Sequence, residues 1–244
     1  MENKDTNDQL IMICGYSGTG KSRSLKNIKN QDKWLYLNSE AGKRLPFKNQ
    51  FKNIRINDPM EVLSYFDAAI KAGDKSEGVI IDSIDFLMNM YEAKYIKTSA
   101  DTRKAWANYQ TYFDNLFQDR IIRYGKPVII IAHVADTYDE KTLDTKISIP
   151  VKGALKNISV EAYCSTLIFT DKIPLKDLED YQNDMLHITE DDKIVDFKYC
   201  FQTRLTKQTL NRKIRGPEDL FSVKETYIDN DVQLVLDKLT QYYK

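Results

Sequence analysis

Residues 15–22 read Gly15-Tyr16-Ser17-Gly18-Thr19-Gly20-Lys21-Ser22. This run matches the pattern G-x-x-x-x-G-K-[ST], in which glycines let successive backbone N–H groups turn inward around phosphate groups. An apolar run at 10–14 precedes it and a helix-compatible run at 23–28 follows it, so the required strand–loop–helix context is present and a chance match is disfavoured. We expect these residues to bind the phosphates of a nucleotide, aided by the helix N-terminus, with Lys21 reaching the β- and γ-phosphates and Ser22 holding Mg²⁺.

The length and the net charge of the chain limit the classes of protein to which it can belong. At 244 residues it is long enough for one α/β domain with a sizeable buried sheet. Lys and Arg together number 36, as do Asp and Glu, so the total charge does not indicate a strongly basic nucleic-acid binder, although local basic patches remain possible.

The cysteines and the N-terminal segment indicate the compartment. Cys14, Cys164 and Cys200 are far apart and form no C-x-x-C pair, so we expect neither a zinc site nor a disulfide framework. We expect a reducing, intracellular compartment. Residues 1–9 are polar, and no apolar run approaches the roughly 18 residues of a membrane span. We expect a cytoplasmic protein, in the host cytoplasm if it is viral, without a membrane partner.

Short apolar runs alternate with helical patterns along the chain. This order predicts an α/β fold with a mostly parallel, twisted sheet flanked by helices. Near-continuous Val, Ile and Leu content in the runs indicates burial on both faces. The predicted strands are 10–14, 34–37, 53–56, 78–82, 127–132 and 164–170.

Two helices are predicted from capping and periodicity. Asp58, Pro59 and Glu61 form a helix start that leads to about Ala72. Apolar residues recur every three or four positions from Ala105, which predicts a long amphipathic helix that ends near Gly125. The aromatic side chains of that helix are interpreted as core.

Two polar segments interrupt the alternation of strands and helices. Residues 134–157 form a long polar connection, a type of loop that is often functional. Residues 171–196 carry nine acids against three lysines, which we interpret as a solvated excursion or hairpin, in preference to a metal site. The prediction is a single domain over residues 1–244, with this acidic insertion at about 171–196.

Polar residues at the ends of three apolar strands are candidate catalytic groups. Asp82 ends the run 79–82 and is expected to hold Mg²⁺, the alternative being an Asp that caps the helix beginning near Ile84. Glu40 follows the strand 34–37 and, at the carboxyl edge of a doubly wound sheet, would face the γ-phosphate and act as general base for water. His133 ends another strand and either senses the γ-phosphate or has a purely structural role.

The run 79–83, combined with Glu40 after an earlier strand, resembles the RecA-like branch of P-loop ATPases. In that branch the water-activating glutamate lies on the strand after the first helix. Residues 131–134 resemble the equivalent strand of RadA-type members, and 150–153 with Leu155 and Ile158 resemble the stretch after the mobile DNA-binding loop. Over roughly residues 8–220 the chain is similar to the phage-type AAA/RecA-like ATP-binding family, which includes core-only single-strand annealing recombinases.

That resemblance implies an ATPase with ATP and Mg²⁺ as cofactors that acts on single-stranded DNA in recombination, annealing or replication. It also implies a homo-oligomeric ring or filament and a possible single-strand-binding protein as partner. Because the phosphate loop starts at residue 15 and no DNA-binding domain is visible at the C-terminus, we expect annealing or loading of strands without strand exchange.

A late basic cluster has three readings. It comprises Arg204, Lys207, Arg212, Lys213 and Arg215, with no acid between residues 202 and 217. In RecA-like assemblies, basic residues in this region reach the nucleotide of a neighbouring subunit, where an arginine finger stabilises transition-state charge. The alternatives are contact with nucleic-acid phosphates and a solvated basic hairpin.

Two other classes of function also use a phosphate loop. A small-molecule kinase would need an Arg-rich lid over two phosphoryl groups, for which the basic run 204–215 is a late candidate. A nucleotide-gated accessory module of a helicase or packaging machine would bind ATP, turn it over slowly and recognise a protein partner.

Overall fold

The computed structural model describes residues 6–140, 144–153 and 159–244. The strands are β1 (Leu10–Gly15), β2 (Trp34–Asn38), β3 (Lys52–Arg55), β4 (Gly78–Asp82), β5 (Val128–His133), β6 (Ala135–Asp139), β7 (Asp144–Ser148), β8 (Thr166–Pro174), β9 (Phe197–Gln202) and β10 (Tyr227–Asp229). Eight of them form one sheet in the order β10-β9-β8-β1-β5-β4-β2-β3. From β3 to β8 in this order the strands run parallel, and β9 and β10 add an antiparallel edge.

The fold class predicted from the sequence, an α/β fold with a mostly parallel sheet flanked by helices, is confirmed by this topology. The central strands are buried along their whole length because both faces are covered. Strand β3 differs from the expectation of double-sided burial. It lies at the sheet edge and its residues are mostly exposed.

The helices cover the two faces of the sheet. On one face lie α1 (Pro59–Ala72), α2 (Ile84–Tyr91), α3 (Thr102–Asp114) and α4 (Ile121–Tyr124). The C-terminal helix Val232–Tyr242 packs on the other face. Successive β1 residues point to opposite faces, so Met12 joins the first core and Ile13 the second.

Both predicted helices are present. Asp58 caps α1 by accepting a hydrogen bond from the Met60 N–H at 2.9 Å. The long amphipathic helix consists of α3, a π-helical stretch Asn115–Arg120 and α4. It ends at Gly125, whose positive φ of 59° is the left-handed conformation that terminates many helices.

The helix-compatible run 23–28 after the phosphate loop does not form an α-helix. Only a single 3₁₀ turn, Ser22–Leu25, follows the loop. One turn carries little of the dipole of a long helix. The positive field at the loop therefore comes mainly from its N–H groups and from Lys21.

The two polar segments contain ordered elements. Within 134–157, β6 and β7 pair as a two-stranded antiparallel hairpin, and residues 141–143 and 154–158 lie outside the described ranges. Residues 171–196 connect β8 to β9 through the 3₁₀ helix Leu175–Tyr181 and the helix Glu190–Val195. None of the helices in the described ranges has the length and hydropathy that a membrane span requires.

Candidate functional site

The glycine-rich loop 15–22 leaves the sheet between β5 and β8, at the carboxyl end of β1. The Lys21 ammonium lies under it and donates to the Gly15 carbonyl at 2.9 Å and to the Tyr16 carbonyl at 2.7 Å. Burial lowers the pKa of Lys21 to about 8, although nearby carboxylates favour its charged form. A buried cation surrounded by inward-turned amides is suited to bind an anion.

Two residues distant in sequence hold the loop in place. Thr170 in β8 donates its hydroxyl to the Thr19 carbonyl at 2.5 Å. Asn230, which follows β10, donates to the Thr170 hydroxyl at 3.1 Å. A Cβ on Gly20, which has a φ of 98°, would lie 2.4 Å from Asn230 Nδ2. Gly20 is therefore required both by its backbone angle and by this close approach.

Gly15 gives a direct test of this packing. A Cβ at Gly15 would lie 2.8 Å from the Thr170 carbonyl oxygen and 2.7 Å from Thr19 Oγ1. Because a backbone atom cannot turn away, Gly15→Ala is expected to displace the loop, to destabilise the fold by about 1–3 kcal/mol and to weaken nucleotide binding. Gly216→Ala is the matched control, because its added Cβ meets only Leu220 at 3.7 Å. Thermal unfolding and nucleotide titration of both variants measure the effect, and an unchanged Gly15→Ala protein would contradict it.

Asp82 lies at the end of β4, directly below the loop. Its Oδ2 accepts hydrogen bonds from Ser22 Oγ at 3.1 Å and from the Tyr36 hydroxyl at 2.7 Å. Its Oδ1 is buried and has no hydrogen-bond partner among the described residues. Burial raises the pKa of Asp82. The pKa of Tyr36 is also raised, mainly by burial and secondly by the Asp82 charge. The Tyr36 hydroxyl therefore keeps its proton and remains a hydrogen-bond donor.

The donor set at Asp82 fits a magnesium ion. A carboxylate oxygen without a partner lies beside a serine hydroxyl, and Mg²⁺ prefers hard oxygen ligands, usually one or two carboxylates completed by water and phosphate oxygens. The alternative role of Asp82 as a helix cap is not observed: α2 begins after Ser83 with no side-chain capping bond.

Glu40 lies in a tight turn that Asn38 holds at both ends. Asn38 Oδ1 accepts from the Glu40 N–H at 3.0 Å, and its amide donates to the Lys43 carbonyl at 2.8 Å. The Glu40 carboxylate accepts a hydrogen bond from Ser83 Oγ at 3.1 Å and pairs with Lys43 Nζ at 3.0 Å. Only 7% of its side chain is exposed, against 64% for Lys43.

His133 lies at the end of β5 and is oriented by Asp85 from α2. The backbone N–H of His133 donates to Asp85 Oδ1 at 3.0 Å, and its Nδ1 lies 3.1 Å from Asp85 Oδ2. Burial opposes ionisation of Asp85, but the hydrogen bonds from His133 outweigh it and lower the Asp85 pKa. His133 Nδ1 also lies 3.6 Å from Glu40 Oε1, so the two predicted residues are neighbours.

These groups surround one cavity of about 340 Å³. Lys21, Ser22, Asp82 and His133 line it, together with residues 43–46 and Tyr199. Glu40 does not line the cavity itself, but it pairs with Lys43, which does.

The late basic cluster lies away from this cavity, and most of its members are engaged within the chain. Arg212 stacks over the Phe169 ring at 4.3 Å and forms an ion pair with Asp171. Lys213 pairs with Glu161 at 3.2 Å. Arg215 and Arg204 donate to the carbonyls of Cys164 and Phe221 at 3.0 and 2.8 Å, and Lys207 is exposed.

Sequence reasoning missed several residues of the site: Tyr36, Lys43, Asp85, Thr170 and Asn230. Lys43 and Asp85 follow Glu40 and Asp82 by three positions, a proximity in sequence that could have identified them. Thr170 and Asn230 are 151 and 211 residues from Thr19, and no local pattern signals such contacts.

Comparison with known proteins adds a family and a fold likeness. The family model described as AAA domain matches residues 7–163. Among curated proteins, none is similar in sequence. A solved structure described as the crystal structure of the RadB recombinase superposes with a TM-score of 0.43 at 18% identity, over 69% of this chain and 77% of that chain.

Proposed function

Because this chain belongs to the AAA domain family, we propose that it binds ATP with Mg²⁺ and hydrolyses it as a RecA-like ATPase. The observation that carries the proposal is the convergence of Lys21, Ser22, Asp82 and His133 on one cavity, with Glu40 beside it. An ammonium, a metal-binding pair and a general base are the parts that phosphoryl transfer to water requires.

The residues of the loop have distinct roles in binding. The N–H groups from Tyr16 to Ser22 and the Lys21 ammonium bind the phosphates. Ser22 and Asp82 hold Mg²⁺, which when bound neutralises charge on the phosphate oxygens. Burial of Lys21 and Asp82 strengthens these interactions by excluding water.

Glu40 supplies the general base. The oxygen of a water molecule attacks the γ-phosphorus, the bond between that phosphorus and the β,γ-bridging oxygen breaks, and the water proton passes to the Glu40 carboxylate. Ser83 orients that carboxylate through its hydrogen bond to Oε1. His133 is close enough to Glu40 to report the γ-phosphate to the hairpin β6–β7, which begins two residues later.

We further propose that the ATPase acts on single-stranded DNA in recombination, annealing or replication, as one domain with an acidic excursion at 171–196. The resemblance to phage-type RecA-like proteins supports this role, as well as a homo-oligomeric ring or filament and a single-strand-binding protein as partner. Of the late basic cluster, exposed Lys207 is the member best placed to contact a strand or a neighbouring subunit.

The test is an ATPase assay of the purified chain with and without single-stranded DNA across a salt series. We expect Mg²⁺-dependent phosphate release that DNA stimulates, and stimulation that weakens as salt rises because phosphate contacts release counterions. ATP turnover indifferent to DNA would contradict the strand-handling role and favour an accessory module. Phosphate transfer to a nucleoside or nucleotide acceptor in place of water would instead indicate a kinase.

A further inference from the structure

Lys43 is the cation of the site that neither the loop pattern nor the family match assigns a role. Its Nζ donates a hydrogen bond to Glu40 Oε2 at 3.0 Å, and this bond raises the pKa of Lys43. An ammonium has three N–H donors, and one contact with Glu40 leaves two for another acceptor. The side chain lines the same cavity as Lys21 and Ser22.

The backbone of Lys43 is fixed while its side chain is free to move. The Lys43 N–H donates to the Glu40 carbonyl at 3.0 Å, and its own carbonyl accepts from buried Asn38. Gly42, with a φ of 81°, lets the chain close this turn. A 64% exposed side chain on a fixed turn can reorient within the cavity without any change of fold.

Among the described residues, no other lysine or arginine both lines the cavity and pairs with Glu40. Lys21 is held by two carbonyls of its own loop. Arg23 and Arg44 line the cavity, but among the described residues neither forms an ion pair with Glu40, Asp82 or Asp85. In the late basic cluster, Arg212 and Lys213 are bound to carboxylates elsewhere in the chain.

We propose that Lys43 contacts the terminal phosphate of the bound triphosphate and stabilises the charge of the transition state from within the same chain. This inference rests on the proposed ATPase function. The ammonium turns from Glu40 Oε2 to a γ-phosphate oxygen, which provides charge where it develops and uncovers the carboxylate for water. Arginine fingers serve this role in other nucleotide hydrolases. Lys43 thereby couples the presence of a γ-phosphate to the availability of the base.

The experiment compares Lys43→Ala, Lys43→Arg and the control Lys48→Ala in the full chain. Lys48 is an exposed lysine of the same segment that does not line the cavity. We expect Lys43→Ala to lower kcat by about 100-fold or more and to reduce the preference for AMP-PNP over ADP by about tenfold. Lys43→Arg should retain part of the wild-type kcat and part of the preference for AMP-PNP over ADP. Lys48→Ala should leave both quantities unchanged.

The outcomes separate this inference from the proposed function. If the wild-type protein releases phosphate and Lys43→Ala releases it equally fast or faster, Lys43 is not the stabilising cation although the ATPase stands. A slower Lys43→Ala enzyme with an unchanged preference for AMP-PNP over ADP would also overturn the inference, since Lys43 would then act through Glu40 alone. A wild-type protein that binds no triphosphate would overturn the ATPase itself.

Discussion

Lys21→Ala is expected to abolish ATP turnover and to weaken binding of Mg²⁺–ATP by about 100-fold or more. The buried ammonium is the fixed positive charge under the phosphate loop, 2.7 and 2.9 Å from two loop carbonyls. Its loss removes a charge-assisted contact to the β- and γ-phosphates in a site where water does not screen it. Calorimetric titration with Mg²⁺–ATP and a phosphate-release assay measure the two effects.

The Lys21→Ala protein should remain folded. Burial already disfavours the charge of Lys21, as its lowered pKa indicates, so removing the ammonium also removes a desolvation cost. Lys26→Ala is the matched control, because Lys26 is an exposed lysine five residues after Lys21. Gln31 donates a hydrogen bond to the Lys26 carbonyl, and the substitution leaves that backbone group in place. Circular dichroism establishes the fold of each variant. Persistent turnover in a pure, folded Lys21→Ala sample would end the assignment of the loop.

Glu40→Gln is expected to bind ATP almost as well as the wild type does. Its rate of hydrolysis is expected to fall by about 1,000-fold. Glutamine preserves the size of the side chain and can still accept the hydrogen bond from Ser83. It cannot take a proton from water, and it loses the ion pair with Lys43. Single-turnover hydrolysis, measured beside an equilibrium binding titration, separates the chemical step from nucleotide affinity.

The control for Glu40→Gln is Glu179→Gln, an exposed glutamate in the acidic excursion. This variant removes the same charge from a residue outside the cavity lining and should leave hydrolysis unchanged. Near-normal turnover in Glu40→Gln would move the activation of water to another group, for which Asp85, hydrogen-bonded to His133, is a candidate.

The carboxylates in and beside the cavity explain why cations line it. Asp82, Asp85 and Glu40 all favour the charged form of Lys21. A triphosphate brought beside these carboxylates would be repelled unless cations offset them. Lys21 and the exposed Lys43 provide that compensation within one chain, whereas Arg212 compensates Asp171 outside the cavity.

The strands, their order of appearance and the phosphate loop follow from local patterns. All six predicted strands are present within a few residues of their expected bounds, because runs such as 128–131 can be buried only between two layers. Contacts between neighbouring residues determine the loop 15–22, the capped start of α1 and the helix end at Gly125. Such local signals can be recognised in a single sequence. The helix predicted from the run 23–28 is wrong in type and extent, since the structure has only the 3₁₀ turn Ser22–Leu25 after the loop.

Tertiary structure alone decided how these pieces meet. Strand β5 lies between β1 and β4, and this order brings His133 to Asp85 and leaves Asp82 within reach of Ser22 and Tyr36. Thr170 and Asn230 reach the loop only because β8 and β10 return to it. The basic side chains of 204–215, for which the sequence left three interpretations open, mostly bind carboxylates and carbonyls of other elements. Periodicity records which face of an element is buried, whereas contacts across tens of residues depend on strand order and packing, which no local pattern encodes.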